Sequence, residues 1–528
     1  MKEAGDITDD TVELAAPAES LVADGRVPYE SKIATAPKMN AVSGKKALSN
    51  AAWTFGGFGG QQVVRFLSTA ILWQWLSPAV FGLVAAVYLI RDGLMMFSDI
   101  GIGQSLIQSP RTDKAFQHTA WTTQVLRGVL IFVIVALSAP LIAKYFLHDL
   151  SLWWIVPVIA LVALIDGLAS TSLYTHARRM KVAGVSMLEL GAQIVSSATI
   201  VAVAYFTRDV RALLAGGLAQ SIVRTAGSHW LNRDTPDGIH LEQKAFHEIV
   251  IFGKWIVVSS IIMFLASNTD RVVLQGWLVK DLVIFGVYGT ALNIAMIPLQ
   301  TILRVGIRVV FPVFSNTINS GGDVARAFAK ARRFVATGGG FSSTVFLAAG
   351  PAIVAFLSPK AYHDAGVYLS IMAVSIWLQT LDAANQALLT AKGQNKWGAF
   401  SNITKLVLLL VAMPIGYKLD GMKGALYGIV LADLCKYLVS AFANVRLGMP
   451  LIRIDLLATV WFGVVAVGLQ HFVPHDPSSS KLTNFIHICI VSAGAMVAAG
   501  IFFLWLRGKR PTKGDAPKLN GPSIAIPA

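Results

Sequence analysis

The sequence predicts an all-α polytopic membrane protein, with about fourteen transmembrane helices arranged as two pseudo-symmetric six-helix bundles plus two C-terminal helices. Three observations carry that expectation. The 528 residues are 55% hydrophobic and only 14% charged, with a mean hydropathy of +0.62, well outside the range of soluble globular chains. Apolar runs of about 20 residues recur along nearly the whole chain, each long enough to cross a hydrocarbon layer about 30 Å thick. Similar stretches also return six runs apart. Helices satisfy their own backbone in lipid, whereas a β-barrel would show alternating segments of about 10 residues, and the sequence has none.

In chain order the spans fall near residues 48–76, 79–99, 120–146, 152–175, 184–206, 211–230, 249–277, 283–314, 334–357, 365–391, 398–416, 423–444, 455–473 and 484–506. Residues 1–45 lack an apolar core and are rich in Asp, Glu, Ala and Pro, which predicts a disordered cytoplasmic tail and no cleavable signal peptide. The expected organisation is then a six-helix bundle over 46–230, a polar cytoplasmic linker over 231–248, and a second bundle over 249–444. Two additional helices follow over 445–507, with a cytoplasmic tail over 508–528.

Orientation follows from the basic residues of short loops. Arg111 and Lys114, Arg178, Arg179 and Lys181, then Arg326, Lys330, Arg332 and Arg333 fall on one side, joined by Lys392, Lys396, Arg446, Arg453 and the basic C-terminal tail. The opposite side has only scattered cations such as Arg208, Arg211 and Lys280. Both termini are therefore expected in the cytoplasm of a multi-pass protein. The formal charge of +15 is mostly this topology signal, and no nucleic-acid partner is needed to explain it.

Two pairs of stretches suggest an internal repeat. "IDGLASTSLYTHARRMKVAGVSMLEL" from Ile165 aligns with "LDAANQALLTAKGQNKWGAFSNITKL" from Leu381, matching Asp166 with Asp382 and Glu189 with Lys405. "LSPAVFGLVAAVYLI" from Leu76 aligns with "LVKDLVIFGVYGTALNI" from Leu278, matching Phe81-Gly82 with Phe285-Gly286. The partners are six spans apart, an even number, so the halves would share one orientation about an axis along the membrane normal. That arrangement puts a path between the halves.

Charged and amide residues inside the spans mark that path, because each charge costs roughly 2.5–3.5 kcal/mol on insertion scales and persists where it faces a wet interior. Helical spacing groups them. Gln61, Arg65 and Thr69 form one stripe in the first span, after the glycines of "GGFGG", which permit a bend or close packing. Asn268, Arg271 and Gln275 form another, with Asp270 about 100° away. Asn293, Gln300, Arg304 and Arg308 align in the eighth span, and Gln379 and Asp382 in the tenth. In the second span Tyr88, Asp92 and Asp99 share a face with Arg91 beside it. The expected substrate-binding set is Arg65, Arg271, Arg304, Arg308, Gln61, Asn268, Gln275, Gln300 and Gln379; Asp92, Asp99 and Asp270 are the candidates for ion coupling. The alternatives are an Arg65–Asp92 ion pair, interfacial anchoring of the other arginines, and structural hydrogen bonding by Asp166 and Asp382. Trp73, Trp75, Trp153 and Trp154 are expected in the interfacial belt.

No GxxxxGK[ST] loop, HExxH or paired CxxC motif is present, and the two cysteines lie in apolar spans, so no cofactor, metal site or disulfide is expected. Loops of about 20 residues leave no room for a soluble catalytic domain, which argues against an enzyme.

"SNTDRVVLQGWLVKDLVIFGVYGTALNIAMIPLQ" (267–300), "FGLVAAVYLIRDGLMMFSDIGIGQSLIQ" (81–108) and "HARRMKVAGVSMLELG" (176–191) resemble the Wzx-type oligosaccharide flippases. These form the polysaccharide-transporter branch of the multidrug/oligosaccharidyl-lipid/polysaccharide superfamily. The similarity runs over roughly residues 45–450 and its motifs are diffuse. It implies two six-helix bundles alternating between inward- and outward-facing states. The implied substrate is a glycan on undecaprenyl pyrophosphate, flipped across the bacterial plasma membrane for exopolysaccharide assembly. Basic cavity residues, here Arg65, Arg271 and Arg304, would hold the anionic head. Further implications are contact with membrane lipids, a polymerase and co-polymerase as partners, and coupling to Na+, H+ or the membrane potential. A multidrug or small-molecule antiporter of the same superfamily, expected to have an acidic lining, and a membrane-embedded polysaccharide polymerase or acyltransferase are the alternatives.

Overall fold

The computed structural model describes residues 44–97, 101–108, 111, 113–178, 182–231, 236–275, 281–305, 324–392, 394–449, 452–473 and 480–508. The chain divides into residues 1–51 and 52–528, and the described part of the first unit is the start of helix α1. In order the helices are α1 (Gly44–Trp75), α2 (Pro78–Phe97), α3 (Ile102–Gln108), α4 (Lys114–Tyr145), α5 (Ile155–Gly167), α6 (Ser172–Arg178), α7 (Val182–Thr207) and α8 (Arg211–Leu231). They continue as α9 (Gln243–Val273), α10 (Leu282–Val305), α11 (Val324–Leu357), α12 (Asp364–Ala391), α13 (Asn395–Arg446), α14 (Ile452–Phe472) and α15 (Lys481–Gly508). No strand occurs among the described residues.

Ten of the described helical segments are long and apolar enough to cross a membrane. The protein is thus all-α and polytopic. Helices α1, α8 and α9 are not among the ten, although the sequence reading counted each as a span. They supply Gln62 and Arg65, Gln220, and Arg271 to an interior cavity, and several side chains of α9 lie outside the described residues.

Expected spans and observed helices coincide in part. The run 152–175 is broken: a 3-10 turn over Leu150–Trp154 leads into α5, which stops at Gly167, and α6 begins only at Ser172. Gln124 of α4 caps the break, its Nε2 donating to the carbonyls of Gly167 (3.0 Å) and Ala169 (2.9 Å). The Ser170 amide donates to the Ser228 hydroxyl and the Ser172 hydroxyl to the Ser228 carbonyl, so α8 supplies partners across the break. The run 283–314 is helical to Val305, and its remainder lies outside the described residues. The runs 398–416 and 423–444 are the two limbs of α13, which turns back at Asp420 and Gly421, the latter at φ 53°, where a glycine is favoured. Helix α11 begins about three turns before the expected 334, and this draws Arg332 out of its expected loop into the interior.

The main core runs across α1, α2, α10, α12 and α13, through Leu72, Phe81, Phe285, Met372, Met413 and Leu426. At its centre α2 crosses α10 through Gly82 and Gly286. A Cβ on Gly82 would overlap the carbonyl of Leu282, and one on Gly286 the carbonyl of Pro78. Gly289 faces Ala85 in the same register, so the two helices run parallel at the crossing. Close by, the Tyr362 hydroxyl donates to the Leu76 carbonyl (2.7 Å) and Gln74 Nε2 to that of Leu357 (2.7 Å). In α1 the "GGFGG" run packs rather than bends, with Gly57 against Ser186 and Gly60 against Leu190 of α7.

Helices α14 and α15 join α11 and α12 through a second core containing Trp377, Phe462 and Phe502. Arg332 of α11, fully buried, locks this join. Its guanidinium holds Asp455 of α14 with both forks, the Nε to Oδ1 bond measuring 2.6 Å, and also donates to the Leu381 carbonyl and Asn385. Tyr437 adds a hydroxyl to the same carboxylate (2.6 Å).

Candidate functional site

Six helices enclose a cavity of about 370 Å³: α1, α2, α7 and α8 on one side, α9 and α10 on the other. Its size sits at the lower end of the roughly 300–1,000 Å³ typical of small-molecule sites. Among the described residues the charged lining is three arginines, Arg65, Arg91 and Arg271, against one carboxylate, Asp92.

Each arginine is held differently. Arg65, one helical turn beyond Gln61 on α1, makes no hydrogen bond or ion pair through its guanidinium among the described residues, and none with Asp92 although both line the cavity. Arg91 lies 5.8 Å over the Tyr88 ring with a buried Nε that has no partner among the described residues. Arg271 donates from Nη1 to Asn268 Oδ1 (3.1 Å), and its buried Nε is also unpartnered there. Guanidiniums without carboxylate partners among the described residues present paired N–H donors, the geometry that matches carboxylate or phosphate oxygens.

The remaining expected site residues separate. Gln300 lines the cavity and accepts from Gln62 Nε2 (3.2 Å), so Gln62 rather than Gln61 faces inward from α1. Asn268 is buried and acts through Arg271. Gln275 is buried at the end of α9, where its Nε2 reaches the Phe146 carbonyl (3.5 Å) and its own carbonyl lies 3.4 Å from His148; it belongs to helix-end packing. Gln379 also lies away from the cavity, donating to Asp433 (3.0 Å) and Ser375 (3.0 Å). Asp270 accepts from the Tyr288 hydroxyl at 2.5 Å. Arg308 and Asp99 lie outside the described residues, as does the side chain of Arg304.

Asp166 and Asp382 belong to internal networks. Asp166 accepts from Ser221 (2.7 Å) and faces Arg224 (3.6 Å), which bonds Glu189 (2.8 Å). Asp382 pairs with Lys436 (3.1 Å), and Lys405 with Asp433 (2.6 Å).

Sequence reasoning missed several lining groups. Trp73, expected in the interfacial belt, is 1% exposed, lines the cavity, and carries an indole N–H with no partner among the described residues. Gln193 of α7 and Gln220 of α8 face the same space. Uncharged, they left only isolated amides in apolar runs as a signal.

Outside the spans, residues 236–242 lie along the start of α4. The amides of Gly238, His240 and Glu242 donate to His118 Nδ1 (2.8 Å), Thr122 (3.0 Å) and Thr119 (2.9 Å). Arg111 clamps Asp113 with both forks and reaches Glu242 (2.8 Å). Those Arg111 hydrogen bonds hold the Asp113 carboxyl down at about 2, and the two carboxylates push the guanidinium higher still.

The sequence profile of a family described as "Polysaccharide biosynthesis protein" matches residues 71–358, more than half of the chain. The chain belongs to this family. Among curated polysaccharide biosynthesis relatives, the teichuronic acid biosynthesis protein TuaB of Bacillus subtilis is 20% identical over 75% of this chain and 83% of its own length. The lipopolysaccharide biosynthesis protein WzxC of Escherichia coli is 22% identical over 69% of this chain and 74% of its own. Among solved structures, the lipid II flippase MurJ in an inward closed conformation superposes with a TM-score of 0.69 at 12% identity, over 87% of this chain and 100% of MurJ. At that identity the likeness is one of fold.

Proposed function

We propose that this member of the polysaccharide biosynthesis family is a flippase. It carries glycan units on undecaprenyl pyrophosphate from the cytoplasmic to the outer leaflet of a bacterial plasma membrane, for exopolysaccharide assembly. The observation that carries the reading is the cavity, where three arginines face one aspartate and Arg65 and Arg91 have no carboxylate partner among the described residues. The polyprenyl tail stays in lipid while the polar head, which hydrocarbon would exclude, passes through the cleft. Paired guanidinium hydrogen bonds suit the pyrophosphate. The protein moves its substrate without making or breaking bonds. An acidic lining would have favoured a multidrug antiporter, and the lining is basic.

Alternating access between two six-helix halves, with fourteen spans and both termini cytoplasmic, is the mechanism that goes with this reading. The reciprocal glycine crossing of α2 and α10 supports it, because each glycine contacts the carbonyl four residues before the other, as related halves would. A dianionic head moving outward gains roughly 4–5 kcal/mol per 100 mV of inside-negative potential. Any coupling by Na+ or H+ would use Asp92, the one carboxylate lining the cavity among the described residues, in preference to Asp270 beneath its tyrosine. A polysaccharide polymerase and co-polymerase would take over the delivered unit.

Deletion of the gene tests the reading. A flippase loss leaves full-length lipid-linked units trapped on the cytoplasmic leaflet. Single units facing outward would instead indicate a polymerase, and normal export in a strain lacking any second flippase would remove the proposal.

A further inference from the structure

We propose that the segment leading from α8 into α9 is a strap that responds to pH through His118: the neutral imidazole helps hold the start of α9 on α4, and protonation releases that tie. In the orientation proposed above, the strap reads the pH of the cytoplasm. Residues 236–242 form neither helix nor strand, and alternate amides point at α4, as an extended chain requires. Gly238 donates to His118 Nδ1 (2.8 Å), His240 to the Thr122 hydroxyl (3.0 Å) and Glu242 to the Thr119 hydroxyl (2.9 Å). Helix α9 springs from Glu242, and Ala245 and Ile249 in its first two turns are buried with Ile102, Leu106, Phe116 and Ala120. The strap therefore fixes where α9 begins relative to α3 and α4.

His118 is the one acceptor of these three that can titrate near neutrality. A backbone N–H can only donate, so Nδ1 must present its lone pair to Gly238 and the ring must carry its single proton on Nε2. A proton added to Nδ1 would set N–H against N–H and remove the bond. Imidazole makes that change between about pH 5 and 8, whereas the threonine hydroxyls keep their lone pairs throughout. Other histidines of this region are placed differently. His229 of α8 lies 2.9 Å from the Leu168 carbonyl through Nε2, and His176 of α6 lies 2.9 Å from the Ser172 carbonyl through Nδ1. Those nitrogens donate, and protonation leaves their bonds intact.

The surrounding charges do not offer the protonated ring an anion in exchange. Arg111 holds Asp113 and Glu242 and lies 3.8 Å from Glu248, and Asp237 of the strap accepts from the Thr171 hydroxyl (2.6 Å). No carboxylate pairs with His118 among the described residues. On α4, Lys114 stands one turn before His118 and is exposed, as are His240 of the strap and Lys244 and His247 at the start of α9. A cation at His118 thus loses its strap amide and joins a set of neighbouring cations.

Hydrogen exchange read by mass spectrometry, on the full-length protein in lipid nanodiscs, tests the strap. Rates over 236–242 are expressed as protection factors, which removes the intrinsic pH dependence of amide exchange. Between about pH 7.5 and pH 5.5, a range above ordinary carboxylate titration, protection in the unaltered protein should fall about tenfold, the effect of one hydrogen bond lost. His118→Asn puts a non-titrating amide oxygen where Nδ1 stands and should keep protection high across the range. His118→Phe removes the acceptor without adding charge and should keep protection about tenfold lower at both ends. Unchanged protection in the unaltered protein overturns the proposal. So does an equal pH-dependent fall in either variant, because the response would then belong to another group. Should His118→Asn fail to insert, the comparison with His118→Phe decides alone. No substrate enters the measurement, so its failure would leave the flippase reading where it stands.

Discussion

On the N-terminal side of the molecule Arg224 of α8 reaches Glu189 of α7 and Asp166 of α5, and its side chain remains 30% exposed. On the C-terminal side the corresponding charges are arranged otherwise. Lys405 of α13 pairs with Asp433 and Lys436 with Asp382, with both carboxylates at most 5% exposed and tied further to Ser375, Gln379 and Gln386. The aligned positions Glu189 and Lys405 even carry opposite signs. Nor does α12 or α13, the carriers of the C-terminal network, contribute to the cavity, whereas α7 and α8 do. The difference teaches that similar polar content serves two ends. Helices α7 and α8 leave polar groups facing the cavity, while α12 and α13 close theirs on one another.

The largest effect should come from Arg332→Met. It would leave Asp455 buried with only the Tyr437 hydroxyl, at a cost of about 3–5 kcal/mol. Denaturant unfolding in detergent should show this as loss of the α11–α14 join, and an unaltered midpoint would show that the ion pair is not what holds α14. Lys405→Met should follow at about 3 kcal/mol, exceeding Arg224→Met at about 1–2 kcal/mol because the Arg224 network is partly solvated. Equal losses in a thermal-shift comparison would erase the contrast between closed and open networks. Gly82→Ala should cost about 1–3 kcal/mol by overpacking the α2–α10 crossing, read from the same unfolding curves.

The smallest effect concerns pH. Asp113, its carboxyl lowered to about 2 by Arg111, contributes stability that is complete above the usual carboxylate value and fades as pH falls through about 2. At 45% exposure the contribution is small, and Asp113→Asn should flatten that acid limb of the stability profile.

The helices were largely legible, because runs of about 20 apolar residues in lipid admit few other forms. The break after Gly167 was not, since it depends on Gln124 of another helix meeting the freed carbonyls. Within the site, Arg65, Arg271, Asp92 and Gln300 were legible as polar residues stranded in apolar spans. Trp73 was not, because a tryptophan near a span end fits the membrane interface as well as an interior wall. Gln379 failed for a related reason: a polar stripe shows that a face is hydrated or paired, and here Asp433, some 54 residues away, supplies the pair. Arg332 was read as a loop cation because charge alone cannot reveal a partner 123 residues onward.

The central claim is that an unpaired arginine in the cavity serves the passenger and not the fold. Arg65→Ala, expressed in the deletion strain, tests it most directly when membrane protein level and the leaflet distribution of lipid-linked units are measured together. The expected result is normal insertion, a stability change within about 0.5 kcal/mol, and units trapped on the cytoplasmic side. Normal export from that strain, or loss of the protein from the membrane, would contradict it.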